Sequence, residues 1–196
     1  DGRLAEIFLE QQARGAATLD LVTPTVWEAQ ILHALTLAKA KGFSLPVVWN
    51  TGSYERAEML ELLRGSVDIF LPDMKYAAEE SAGKFSAAPG YFKMASKAIE
   101  KMFELVGEVR LNSAGQMKCG VLIRHLVLPG HRKESMKILD WIYERFGDKV
   151  QISLMRQYTP MYRAKHVKGL NRRLTTFEYE SVVEHARKLG ITRCYV

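Results

Sequence analysis

Asp73 and Lys75 stand two positions apart just past an apolar run, in Leu71-Pro72-Asp73-Met74-Lys75-Tyr76. On an extended chain, residues two apart face the same side, so a carboxylate and an ammonium are presented together. Such a pair can hold a zwitterionic amino-acid group, take a cation, or close as a structural ion pair at the rim of a sheet. Residue type alone leaves these open.

Arg124 interrupts a second apolar run, Gly120-Val121-Leu122-Ile123-Arg124-His125-Leu126-Val127-Leu128. Successive strand residues point to opposite faces, so Arg124 and His125 must part. A guanidinium inside a sheet is costly unless it is paired or lines a cavity. That makes Arg124 the best functional candidate on physical grounds, the alternative being a buried Arg–Asp pair with no ligand. His125 is expected to be a hydrogen-bonded packing residue on the helix-facing side.

Asn50-Thr51-Gly52-Ser53-Tyr54-Glu55 gathers amide, hydroxyl and flexible backbone groups after another apolar run. Such a turn presents N–H and O–H groups to a ligand; the plainer reading is a helix start capped by Ser53, with Glu55 nearby. Gln157 and Tyr158 open a basic stretch over 156–173 that also holds Arg163, Lys165, His166, Lys168, Arg172, Arg173 and Tyr162. Basic residues among aromatics can mark nucleic-acid contact. The modest overall charge points away from nucleic acid and toward a solvated or ligand-covering loop.

The charge balance is 28 Lys and Arg against 22 Asp and Glu, a net +6, and 47% of the residues are hydrophobic. This is the profile of an ordinary globular chain, and its 196 residues fit one domain better than two. Only Cys119 and Cys194 occur, 75 positions apart. Neither a CxxC motif nor a disulfide framework follows, and a reduced, cytoplasmic chain is expected. No apolar run approaches the roughly 20 residues of a membrane span. Both ends read as cut within an element, so 1–196 is expected to be a single truncated domain.

The elements that must position these residues alternate in kind. Amphipathic spacing predicts helices over 4–14, 26–41, 54–65, 92–107, 132–147 and 176–189. Short apolar runs at 19–22, 46–49, 67–71, 121–128, 150–154 and 191–196 have the composition of parallel strands covered on both faces. Thr25 is a plausible helix cap. The Ala-, Ser- and Gly-rich stretch 77–90 is expected to be a loop. Strands alternating with helices make an α/β chain, whose chemistry belongs at the carboxyl ends of the strands.

Taken in order, several runs resemble the activating-enzyme branch of the radical S-adenosylmethionine (SAM) superfamily, in its pyruvate formate-lyase activating enzyme-like group. They are Leu21-Val22-Thr23-Pro24-Thr25, Trp49-Asn50-Thr51-Gly52-Ser53-Tyr54-Glu55 and, most distinctive, Val67-Asp68-Ile69-Phe70-Leu71-Pro72-Asp73-Met74-Lys75-Tyr76. Leu122-Ile123-Arg124-His125-Leu126-Val127-Leu128-Pro129-Gly130-His131, Ile152-Ser153-Leu154-Met155-Arg156-Gln157-Tyr158-Thr159-Pro160 and Leu170-Asn171-Arg172-Arg173-Leu174-Thr175 complete the set.

The resemblance implies a partial (β/α)6 TIM-like barrel, incomplete at the N-terminus, that binds SAM against a 4Fe–4S cluster. Reductive cleavage of SAM in the intact parent then gives a 5′-deoxyadenosyl radical, and the partner is a glycyl-radical enzyme or other protein substrate. It sets Asp73 and Lys75 where family members contact the methionine part of SAM or a nearby cation. Asn50 and Thr51 stand at the neighbouring strand end, Arg124 in the cavity wall, and Gln157 or Tyr158 where some relatives have a ribose-contacting histidine. The CxxxCxxC cluster loop is missing from these 196 residues, and Val22-Thr23-Pro24-Thr25 replaces the usual Gly-Gly-Glu. These 196 residues alone are therefore expected to be inactive in radical chemistry. Two other readings are a barrel lyase forming a Schiff base on Lys75 with Asp73 as proton partner, and a non-catalytic module whose basic loop docks a protein or RNA.

Overall fold

The apolar runs become parallel strands: β1 (Leu19–Val22), β2 (Val47–Thr51), β3 (Ile69–Pro72), β5 (Met117–Leu126), β6 (Gln151–Met155) and β7 (Cys194–Tyr195). A two-residue strand β4 (Arg110–Leu111) pairs antiparallel with β5. The computed structural model describes all 196 residues. They divide into two units, residues 1–72 with 97–121, and residues 73–96 with 122–196. The order is β1-β2-β3-β5-β6-β7, and no pairing joins its two ends, so the sheet is not closed.

The first unit contains α1 (Gly2–Ala13), α2 (Glu28–Lys39), the short α3 (Ala57–Leu60) and the later turns of α5 (Tyr91–Val106). Val47, Val48 and Trp49 are all buried, as expected of a strand covered on both faces. Trp49, Phe70, Ile99 and Met102 are fully enclosed. Each such side chain stabilises the fold by about 1.5–3 kcal/mol relative to exposure.

Gly120 meets a steric demand. Its φ is +121°, and a Cβ there would lie 2.7 Å from the Val109 Cα, so no side chain fits where β5 passes the β4 segment. The connecting turn is tied by the Asn112 side chain, which accepts from the backbone N–H groups of Ala114 and Gln116.

The second unit contains α4 (Glu79–Ser86), the start of α5, α6 (Arg132–Phe146) and α7 (Thr176–Leu189). Its core includes Ile123, Ile138, Leu139, Ile142 and Ile152, and α6 packs along α7. A capping box starts α7: Thr175 accepts from the Glu178 N–H while Glu178 accepts from the Thr175 N–H. Gly190 ends it in the left-handed conformation.

Four sequence expectations change. The stretch 77–90 is not a loop, since α4 forms within it. Its amino end is held by Glu134, which accepts from the N–H groups of Ala77 and Ala78 and from the Ser81 hydroxyl. The 54–65 helix shrinks to α3 and a 3-10 turn at Glu61–Leu63. Thr25 lies inside a 3-10 turn, Pro24–Trp27, and caps nothing; its hydroxyl donates to Glu55. Ser53 is not a cap either, because it is fully buried at φ +63° with its Oγ unpartnered. Glu55 draws the Thr25 and Thr51 hydroxyls to itself, and α3 starts beyond Ser53, with Arg56 at its cap position.

Candidate functional site

Arg124 lies in β5 and Asp73 directly follows β3. The pair belongs wholly to the second unit, where an isolated parallel bridge joins the two backbones. The Arg124 Nε donates to Asp73 Oδ1 at 2.8 Å, and its Nη2 lies 2.7 Å from the same oxygen. Lys75 Nζ approaches Asp73 Oδ2 at 3.5 Å. The guanidinium thus has both expected features at once, a carboxylate partner and a cavity.

That cavity measures about 250 Å³. Asp73, Lys75 and Arg124 give it a charged wall, and Leu126, Leu128 and Met155 an apolar one. Tyr76 and Ser86 also line it, joined to each other by a 2.8 Å hydrogen bond. It opens past the carboxyl ends of β5 and β6, where ligands bind in parallel α/β sheets.

The turn carrying Asp73 and Lys75 is fixed at its backbone. Met74 N–H donates to the Arg124 carbonyl at 2.9 Å. The Tyr91 hydroxyl donates to the Asp73 carbonyl at 2.7 Å and accepts from the Lys75 N–H at 3.1 Å. Burial drives the Tyr91 phenol pKa upward, so it keeps its proton to donate. His125, on the opposite face of β5 from Arg124, holds the Met74 carbonyl through Nδ1 at 2.7 Å. Its Nε2 accepts from the Ser135 hydroxyl at 2.8 Å. Nδ1 is therefore the protonated nitrogen, and burial holds the ring neutral by lowering its pKa. The helix-facing packing role expected for His125 is the one found.

The remaining candidates lie elsewhere. Thr51 lines a cavity of about 280 Å³ in the first unit with Thr23, Thr25, Gly52, Tyr54 and Glu55. Asn50 sits on β2 opposite Val22, its carbonyl accepting from the Thr23 N–H. Near this cavity Glu55 Oε2 and Glu28 Oε1 are buried without a hydrogen-bond partner. Burial and then the Glu55 charge push the Glu28 pKa up. Gln157 faces a third cavity, about 540 Å³, with Arg156, Tyr179 and Glu180 among its lining. Met155 borders both this cavity and the one at Asp73. Tyr158 lines neither, because its hydroxyl donates to the Leu170 carbonyl at 2.8 Å. Asp73, Lys75 and Arg124 come together; Gln157 and Tyr158 do not join them.

Sequence reasoning missed Tyr91, Ser86 and Leu126 as parts of the site. Tyr91 opens a helix at a position that carries no local signal. Leu126 could have been found, since it stands two residues from Arg124 on the same strand face.

No family model matches the chain. An uncharacterized protein of Methanocaldococcus jannaschii is 33% identical over 167 residues, covering 83% of this chain and 45% of that protein. The chain therefore spans about half the length of the curated relative it matches. A domain of a pyruvate-formate lyase-activating enzyme from Bacteroides vulgatus, known from its crystal structure, matches with a TM-score of 0.62 at 14% identity. That match covers 92% of this chain and 97% of the domain. The likeness is one of fold. It agrees with the expected α/β class, a partial TIM-like barrel with parallel strands and an unclosed sheet. No helix is long and apolar enough to cross a membrane.

The two groups implied by the resemblance fare differently against these residues. An amino-acid end such as that of SAM presents an ammonium and a carboxylate. The donor set at the 250 Å³ cavity, one carboxylate with a guanidinium and an ammonium, fits that chemistry. An iron–sulfur cluster takes several closely spaced thiolates. Cys119 is buried and accepts from Arg110 Nε at 2.8 Å, while Cys194 lies on β7. No three His, Cys, Asp or Glu side chains group so as to hold a metal ion. The residues present do not fit the cluster.

Proposed function

We propose that this chain is the SAM-binding part of a radical SAM enzyme of the activating type, whose parent acts on a partner protein such as a glycyl-radical enzyme. One observation carries the reading: Asp73, Lys75 and Arg124 converge on a single cavity beyond the carboxyl ends of β5 and β6. The fold shared with a domain of a pyruvate-formate lyase-activating enzyme supports it.

In this reading Asp73 accepts from the α-ammonium of the ligand, and Arg124 and Lys75 hold its α-carboxylate. Leu126, Leu128 and Met155 exclude water along the apolar wall, which strengthens the charged contacts beside them. Tyr91 and His125 hold the Asp73–Lys75 turn so that no loop reorganisation accompanies binding. SAM, when bound, supplies the adenosyl group for hydrogen abstraction. In this reading the cluster ligands belong to parts of the parent outside these 196 residues.

Titration calorimetry of the intact parent with SAM tests this. Asp73→Ala is expected to weaken binding by about tenfold or more, the loss of one charge-assisted contact. No binding by the parent would remove the SAM reading. Equal affinity in the variant would remove the assignment of Asp73.

A further inference from the structure

The net positive charge of this chain arises in one stretch. Between Asp148 and Glu178 there are seven Lys and Arg and no acidic residue, whereas the rest of the chain holds 21 basic and 22 acidic residues. The entire positive excess lies in that stretch.

The stretch is an ordered surface. Tyr158 donates to the Leu170 carbonyl, Leu170 is buried, and its N–H donates to the Val167 carbonyl. A 3-10 turn runs over Tyr162–His166. At the far end Arg172 is neutralised by Glu178 through two contacts at 2.7 and 2.8 Å. Arg163, Lys165, Lys168 and Arg173 are exposed and make no ion pair.

Two large apolar side chains project among these cations. Met161 is 68% exposed and Tyr162 is 78% exposed. Tyr162 is held at φ +47°, a left-handed conformation that costs a non-glycine residue about 1 kcal/mol or more. Its ring carries the Arg163 guanidinium 5.4 Å from its centroid. An exposed Tyr, Met and Arg together are the residue types that anchor protein interfaces.

We propose that 156–173 is a docking surface for an acidic segment of a partner protein. Carboxylates of that segment pair with Arg163, Lys165, Lys168 and Arg173, and an apolar side chain of it packs on Met161 and Tyr162. Single-stranded nucleic acid fits this surface less well, because it stacks successive bases on several aromatic platforms. Within 156–173 Tyr162 is the one exposed Tyr, Phe or Trp ring, since Tyr158 is half-buried with its hydroxyl engaged. Phe177, 68% exposed beyond this stretch, already carries the Arg132 guanidinium 4.7 Å from its centroid. The inference is independent of the SAM reading.

Fluorescence anisotropy on the full chain tests it, using a labelled peptide rich in Glu and Leu and, in parallel, single-stranded poly(U) RNA. The peptide is expected to bind at low salt. Binding should weaken by about tenfold in Arg163→Glu with Lys165→Glu, and severalfold in Tyr162→Ala, which removes no charge. Lys133→Glu with Lys137→Glu, on exposed positions of α6, is expected to leave it unchanged. Three results would overturn the proposal: no peptide binding, equal loss in the α6 pair, or tighter binding of the RNA than of the peptide.

Discussion

The Tyr91 hydroxyl donates to the Asp73 carbonyl oxygen at 2.7 Å. The same oxygen atom of Tyr91 accepts from the Lys75 N–H, so one phenol fixes both sides of the turn that presents the candidate ligand-binding charges. Removing it in Tyr91→Phe leaves a carbonyl and an amide unsatisfied in a largely enclosed site. The expected cost is about 1–3 kcal/mol in urea denaturation, together with weaker SAM binding if the proposed function holds. A variant as stable as the parent would show that the turn holds without Tyr91.

His125 should make the fold acid-sensitive. Burial depresses its pKa, while the hydrogen bond to the Met74 carbonyl and then the Glu134 and Asp73 charges act more weakly in the other direction. The unfolded chain therefore takes up a proton below about pH 6.5 that the folded chain refuses. This contribution to stability is present above that pH and is lost as the pH falls through it toward the lowered folded value. Tm measured against pH should decline there, and the decline should flatten in His125→Gln. A slope unchanged in the variant would assign the effect to other groups.

Glu178 organises the start of α7 and the basic segment together. It accepts from the Arg172 guanidinium, from the Gly130 N–H at 2.7 Å and from the Thr175 N–H and hydroxyl, and its pKa is held well below the usual carboxylate range. A depressed folded pKa stabilises above the unfolded carboxylate range, and the benefit fades as acid protonates the group. Glu178→Gln should lose about 1–2 kcal/mol at neutral pH. The gap from the parent should narrow in acid, and denaturation at the two pH values checks both parts.

Gly120→Ala should be the most damaging small substitution in β5. The new methyl carbon would sit 2.7 Å from the Val109 Cα and 2.9 Å from its Cγ2, at a φ that side chains rarely adopt. A loss of about 2–3 kcal/mol is expected. Gly65→Ala, also at positive φ but with nothing within 4 Å, should cost only about 1 kcal/mol. Equal effects in denaturation would refute the steric account.

The α/β alternation was legible because it is written in local patterns: apolar runs for the covered strands, helical spacing for α1, α2, α5, α6 and α7. Even the Asp73–Lys75 proximity was legible, since two residues apart on an extended chain is a geometric fact. The Asp73–Arg124 pair was not, because 51 positions separate its members and only the parallel bridge beside β5 joins them. Tyr91 likewise acquires its role from where α5 begins in space. Helix α4 forms in a composition that reads as loop because Glu134, more than 50 positions later, satisfies its amino end. Thr25 failed as a cap because the Glu55 carboxylate takes its hydroxyl, and Ser53 because α3 begins only at Ala57, with Arg56 at the cap position. Local periodicity determined which segments are strands and helices. Which charges meet, and over which cavity, was decided by tertiary pairing, because a hydrogen bond or ion pair depends on separation in space and not on distance along the chain.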